Sequence, residues 1–228
     1  MTRDDFLKTL PELVKDYELL AETKARISSV DLLMIVGATG VGKTSIIKRL
    51  NIPFVITDTT RPIRPDEING SDYNFRSDYD QVAAEIKGRK FVQVNIFPTG
   101  DFYGTKASAY PELGFAVYAV VADKIQEFRQ LGFSDTITAF VTPPNFLEWM
   151  SRIDRHNSES SQLAQRLDEA KRSFNFALND KNTHFILNDD LDMAVHQTEM
   201  LLNGKVDQAR EAKAREAAEQ IYQELTFA

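Results

Sequence analysis

The stretch Gly37-Ala38-Thr39-Gly40-Val41-Gly42-Lys43-Thr44 constrains this chain more than any other, because it fits G-x-x-x-x-G-K-[ST]. The apolar run Leu32-Leu33-Met34-Ile35-Val36 before it predicts a buried strand, and Thr44 to Leu50 after it predicts a helix. Strand, glycine loop and helix in that order are the context that lifts the motif above a chance match. Glycines let backbone N–H groups close around a phosphate where a side chain would block the approach. The helix N-terminus adds partial positive charge. The pattern therefore assigns residues 37–44, with Ser45, to ATP binding; Lys43 would reach the β- and γ-phosphates and Thr44 would ligate Mg²⁺. The competing reading is a glycine-rich strand–helix turn with no ligand.

A chain of 228 residues holds one compact domain with additions, or at most two. It lacks cysteine, which excludes disulfides, thiol catalysis and cysteine-held metal centres and suits a reducing cytoplasm. The formal net charge of −7 argues against non-specific binding to nucleic acid or membrane surfaces. No apolar run approaches the roughly 20 residues that cross a bilayer, and the N-terminus does not read as a signal peptide. A cytoplasmic protein without membrane or nucleic-acid partners is expected.

Before the first strand, Leu13, Leu19, Leu20 and Ile27 recur at roughly helical spacing, with Pro11 either starting the main helix or kinking an earlier one. That segment packs on the domain or serves as a dimer contact. After the loop, Phe54-Val55-Ile56 predicts a second strand. Arg61 and Arg64 then stand three apart among prolines, with Thr57, Thr59, Thr60 and Tyr73 nearby. Guanidinium groups grip phosphate bidentately and cannot lose their charge, so this stretch is either a pre-organised anion site or a solvated loop.

These residues resemble a known family. The P-loop, followed by Thr59-Thr60-Arg61-Pro62-x-Arg64-Pro65-x-Glu67-x-x-Gly70-x-Asp72-Tyr73-x-Phe75, is similar to the guanylate kinases. The likeness continues through Phe102-Tyr103-Gly104-Thr105 to Asn188-Asp189-Asp190-Leu191 and spans about residues 32–203. By that resemblance, Arg61, Arg64, Tyr73 and Tyr103 hold the phosphate of the acceptor nucleotide. Thr57 falls near the base, Thr105 at an acceptor-binding hydroxyl, and Asn188 near the adenine of ATP. Arg155 and Arg166 match two lid arginines that contact ATP and the transferring phosphoryl. Arg152 stands one residue nearer Arg155 than in the family, and His156 replaces a usual glycine.

The chain departs from the pattern where the base is read. The family has a glutamate where this chain has Gln93, and an amide offers one acceptor and one donor group in place of two acceptors. The Pro98-Thr99-Gly100 turn is one residue longer than usual. Family aspartates align with Ala119 and Val121 in the apolar strand predicted over 115–122. Asp123 then either substitutes for a lost carboxylate, ends that strand or caps the next helix.

Further elements are a helix within 76–90 with Val82, Ala83 and Ile86 inward, strands at 91–97, 137–141 and 185–187, and helices at 145–150, 162–179 and 190–202. Trp149 reads as core, and His184 and His196 as structural. A last helix over 205–225, with Ala209, Ala217, Ile221 and Leu225 as its apolar positions, docks on the domain or pairs with another chain.

The expected fold is α/β, a P-loop kinase with a parallel core sheet. A domain over 30–203 carries an inserted acceptor-binding subdomain (54–107) and a lid (152–166). The extra terminal helices (1–29 and 204–228) pack on the domain or offer a homodimer surface. The expected function is ATP-dependent phosphoryl transfer to a nucleoside monophosphate, GMP first, with small-molecule nucleotides as partners and Mg²⁺ as cofactor. Lys43, Arg152, Arg155 and Arg166 would be catalytic, and Thr57, Arg61, Arg64, Tyr73, Gln93, Tyr103 and Thr105 would bind the acceptor. The alternatives are another monophosphate or a ribosyl bisphosphate as acceptor, or a non-catalytic binding module of the same fold.

Overall fold

The computed structural model describes residues 1–65, 67–97, 100–154 and 160–227. Two compact units emerge. The first comprises Met1–Asp31, Pro53–Ala116 and Gln130–Asp135; the second comprises Leu32–Ile52, Val117–Arg129 and Thr136–Ala228.

The chain begins with α1 (Arg3–Val14) and α2 (Ala21–Ile27), then β1 (Val30–Val36) and α3 (Lys43–Ile47). Next come β2 (Asp58–Thr59), β3 (Asn74–Phe75), α4 (Tyr79–Lys87), β4 (Phe91–Ile96) and β5 (Phe102–Lys106). The remainder is β6 (Gly114–Ala119), α5 (Ile125–Gln130), β7 (Asp135–Thr142), α6 (Phe146–Asp154), α7 (Ser160–Asn179), β8 (Thr183–Leu187), α8 (Leu191–Leu202) and α9 (Gln208–Phe227). Four strands form a parallel core sheet in the order β6-β1-β7-β8. Its central strands read as continuous apolar runs because helices cover both faces of such sheets; Leu32 to Ile35 and Ala139 to Val141 have no exposed surface. No helix among the described residues is long and apolar enough to cross a membrane.

In the first unit a smaller sheet runs β3-β2-β5-β4. β2 pairs parallel with β3 and antiparallel with β5, and β4 pairs antiparallel with β5. Strand pairing thus falls on Asp58–Thr59 and not on the expected 54–56, where Phe54 makes only an isolated bridge. Asp58 and Thr59 are where the segment meets partners on both sides. Under this sheet Phe6 and Leu10 of α1 pack with Val82, Ala83 and Ile86 of α4 and with Phe91 and Phe102. The expected inward face of α4 is confirmed. Pro11, however, sits in the last turn of α1 and does not start the helix. A Thr2–Asp5 capping box starts it nine residues earlier, because it satisfies N–H groups that have no helical partner.

The strand expected over 115–122 ends at Ala119, which is exposed. Asp123 lies in a short 3₁₀ turn, Ala122–Lys124, that leads into α5, four residues past the end of the strand. The C-terminal helix docks on the domain. Ala214, Ala217, Ala218 and Ile221 are buried, and the Arg215 guanidinium lies 4.4 Å over the Phe185 ring. Ala209 is exposed, one turn before the real stripe begins. His184 Nδ1 bonds to Glu211 Oε1 at 2.9 Å, so the expected structural role of this histidine holds.

Candidate active site

The phosphate-binding loop folds as its glycines dictate. Gly42 sits at φ 98°, and a Cβ there would come within 2.2 Å of Asn188 Nδ2. Gly37, at φ 145°, would drive a Cβ to 2.8 Å from the Val141 carbonyl oxygen. Both positions therefore exclude any side chain. Asn188 Nδ2 donates to Val41 O at 2.7 Å, which fastens the loop to the end of β8. Trp149, fully buried as expected, also donates its indole N–H to Thr39 O at 2.8 Å. An indole that packs as core and bonds at its polar edge is the usual state of a buried tryptophan.

Lys43 Nζ donates to Gly37 O at 2.6 Å and Ala38 O at 2.9 Å. Burial pulls its pKa down to about 8, with Glu169 opposing the shift. A group whose charge is disfavoured by burial gains most from an arriving anion. Thr44 and Ser45 stand exposed on the first turn of α3. Arg152 donates to Glu148 Oε1 at 3.1 Å through Nε and to Asn188 O at 3.0 Å through Nη2. That ties Arg152 to the backbone carbonyl of Asn188, the residue whose side-chain amide holds the loop. Arg166 is half-buried on α7. Arg155 and His156 lie outside the described residues, as does the Pro98-Thr99 part of the long turn.

The first unit gathers most of the expected acceptor residues. Arg61 lies 5.2 Å over the Tyr73 ring and 5.3 Å over the Phe75 ring. Its Nε donates to Tyr103 OH at 3.0 Å, and the Tyr73 and Tyr103 rings meet edge-on at 5.9 Å. The fork of Arg61 is filled by Glu67, which accepts from Nη1 at 2.9 Å and Nη2 at 2.7 Å. Arg61 raises its own basicity through that bond and holds the Glu67 carboxyl below the usual carboxylate range. Glu67 also accepts from the Arg64 backbone N–H at 2.8 Å, which leaves the Arg64 side chain exposed. Thus Glu67 fixes one guanidinium and turns the loop so that the other projects outward.

On the small sheet, Gln93 faces Thr105 and Asn95 faces Tyr103 across β4 and β5. Alternation puts these four on one face. Gln93 and Asn95 are buried, and Asn95 Nδ2 donates to Gln93 Oε1 at 2.5 Å. Thr105 shares a 2.9 Å bond with Tyr110 OH, and Thr57 is buried nearby in sequence to β2. Sequence reasoning passed over Asn95, Glu67 and the indole bond of Trp149. The i, i+2 spacing of Gln93 and Asn95 on a strand was the available signal for the first. Nothing local signals a tryptophan bond to a loop 110 residues away.

The chain is similar to known proteins over most of its length. The guanylate kinase family model matches residues 29–205. The guanylate kinase of Nostoc sp. is 30% identical over 195 residues, covering 81% of this chain and 95% of the relative. That of Schizosaccharomyces pombe is 30% identical over 182 residues, covering 74% and 88%. A solved guanylate kinase from Anaplasma phagocytophilum shares the fold, with a TM-score of 0.53, 18% identity and coverage of 84% of this chain and 95% of its own. The matched stretch contains both the loop of residues 37–44 and the Arg61–Tyr103 cluster, and on that match the chain belongs to the guanylate kinase family of nucleoside monophosphate kinases.

Proposed function

We propose that the chain transfers the γ-phosphoryl group of ATP to a nucleoside monophosphate, with GMP the first-choice acceptor. The Arg61–Glu67–Tyr103–Tyr73 cluster with the exposed Arg64 beside it carries this reading. Two cations and two phenols in a loop braced by aromatic rings make a cradle for a phosphate dianion. Arg64, exposed and with no side-chain partner among the described residues, supplies an open fork. Arg61, with Glu67 on its own fork, supplies charge and orientation.

An acceptor phosphate is already an oxyanion, so no side-chain base is required. One of its oxygens attacks the γ-phosphorus, the bond to the β–γ bridging oxygen breaks, and ADP leaves with that electron pair. Lys43, Arg152, Arg155 and Arg166 are assigned to neutralising charge on the transferring group, and residues 37–45 with Asn188 to holding ATP. Thr57, Gln93 and Thr105 complete the acceptor site. The acceptor-binding subdomain is placed at 54–107 and the lid at 152–166.

The donor set suits Mg²⁺. Thr44 offers an exposed hard oxygen on the first turn of α3, and no group of three acidic or imidazole side chains among the described residues would hold a metal on its own. Such a site takes Mg²⁺ together with nucleotide phosphates. When bound, the ion supplies charge neutralisation between the β- and γ-phosphates.

The Gln93–Asn95 bond favours a second reading within the first, namely relaxed base choice. Guanine presents two donors, N1–H and the 2-amino group. Gln93 has a single acceptor oxygen, already engaged by Asn95. The test is a panel of nucleoside monophosphates with ATP and Mg²⁺, read as ADP release. Turnover with GMP, at less than four decades' advantage over AMP, is the expected result. Release independent of every monophosphate contradicts the proposal.

A further inference from the structure

We infer that the N-terminal segment positions the acceptor-facing hairpin, with Tyr17 and Arg3 as positioning residues. This deepens, and rests on, the acceptor assignment made above. The segment precedes the stretch matched by the family model, which begins at residue 29.

The hairpin is β4–β5, and β4 is the edge strand of its sheet. Its register shifts between Phe91 and Gln93: Phe91 stands opposite Lys106, yet Gln93 stands opposite Thr105. At such an irregularity the ladder is locally disrupted, and a one-residue slip there would turn every following side chain to the other face. Tyr17 holds this point. Its hydroxyl donates to Phe91 O at 2.8 Å and accepts from Phe91 N–H at 3.0 Å. One phenol thus satisfies both backbone groups of an edge residue, two positions before Gln93. Burial pushes the phenol's pKa up, so it remains a donor throughout the working range.

Arg3 holds the other end. Its Nη2 donates to Asp101 Oδ1 at 2.5 Å, and the Asp101 side chain is only 3% exposed. Asp101 O accepts from Phe97 N–H at 3.2 Å, joining the two strands near the turn, and Asp101 stands two positions before Tyr103. Removing one partner from a buried pair leaves an uncompensated charge, so Arg3 fixes where Asp101 can sit. Between the anchors, Phe6 and Leu10 pack against Phe91 and Phe102. Gln93, Asn95 and Tyr103 therefore lie between two contacts that α1 and the residues after it supply.

The experiment compares the full chain with Tyr17→Phe, which keeps the ring and loses both bonds. KM for the monophosphate should rise about fivefold to tenfold, the worth of one or two hydrogen bonds, while KM for ATP stays within about twofold. A merely structural tyrosine would lower the melting temperature and leave both KM values as they were; that result overturns the inference. Should Tyr17→Phe not fold, Arg3→Gln tests the other anchor by the same split, and Arg3→Lys, which keeps the charge, should undo part of the rise in KM. A parent that turns over no monophosphate fails the kinase reading and this inference with it. A parent with normal turnover, whose variants keep the parental monophosphate KM, fails this inference alone.

Discussion

At Gln93 the proposed reading of the base turns on a single residue. Its carbonyl oxygen is the one acceptor it owns, and Asn95 Nδ2 holds that oxygen at 2.5 Å. A guanine edge would have to break that bond or leave a donor unmet, at a cost of roughly 1–3 kcal/mol. Gln93→Glu supplies a second acceptor, so the preference for GMP over AMP in kcat/KM should sharpen by about one to two decades. An unchanged ratio would move base reading to other residues, Asn95 first. The presence of Gln93 where a carboxylate is usual was legible in the sequence. Its bond to Asn95 was not, because spacing puts two amides on one face without saying which atoms meet. The same limit applied to Arg61: its charge and position were readable, but the occupation of its fork by Glu67 depends on how the loop closes.

Among elements, the loop from Arg61 to Tyr73 divides labour between its two arginines. Arg61→Ala removes a cation and also strands the Glu67 carboxylate beside the proposed phosphate cradle. Arg64→Ala removes an exposed cation alone. Both should raise KM for the monophosphate by roughly 1.5–3 kcal/mol with ATP binding nearly intact, and Arg61→Ala should be the worse. Adding Glu67→Gln to Arg61→Ala should recover part of the loss. Lost ATP affinity with a normal acceptor KM would contradict the assignment. A second element-scale contact joins α5 to the turn before β8, where Arg129 donates to both oxygens of Asp180 at 2.9 and 2.7 Å. Arg129 holds the Asp180 carboxyl below its usual range, and Thr183 adds to the effect. A carboxyl depressed in the folded state stabilises above its ordinary value and loses that contribution as pH falls through the depressed one. Asp180→Asn should therefore cost about 1–3 kcal/mol at pH 7, and the gap from the parent should close below the ordinary 3.8 in melts run across pH. Strands buried on both faces and the helix capped by Asp190 were legible as elements, whereas the capped start of α1 was not. The two-residue strands β2 and β3 were not, because pairing with non-local partners creates them and no local run announces them.

For the whole molecule, two compact units each complete one half of the proposed chemistry, and each recruits a terminal extension. The first builds α1 into the core beneath the acceptor hairpin. The second builds α9 onto β8, where Arg210 bonds to Leu187 O and Asp189 next to the Asn188 that latches the phosphate loop. The terminal helices were readable as helices. Their docking was not, since a weak alanine-rich stripe suits the chain's own core and a partner equally well. In the proposed reaction the γ-phosphoryl of ATP ends on a monophosphate, with Lys43 stabilising its transfer. The direct measurement follows label from γ-labelled ATP in the presence of GMP and Mg²⁺, for the parent and for Lys43→Ala. The parent should form one labelled GDP for each ADP, and Lys43→Ala should lose at least two decades in kcat, roughly 3 kcal/mol or more, while still folding. Label released only as inorganic phosphate, or near-normal transfer by Lys43→Ala, would contradict it.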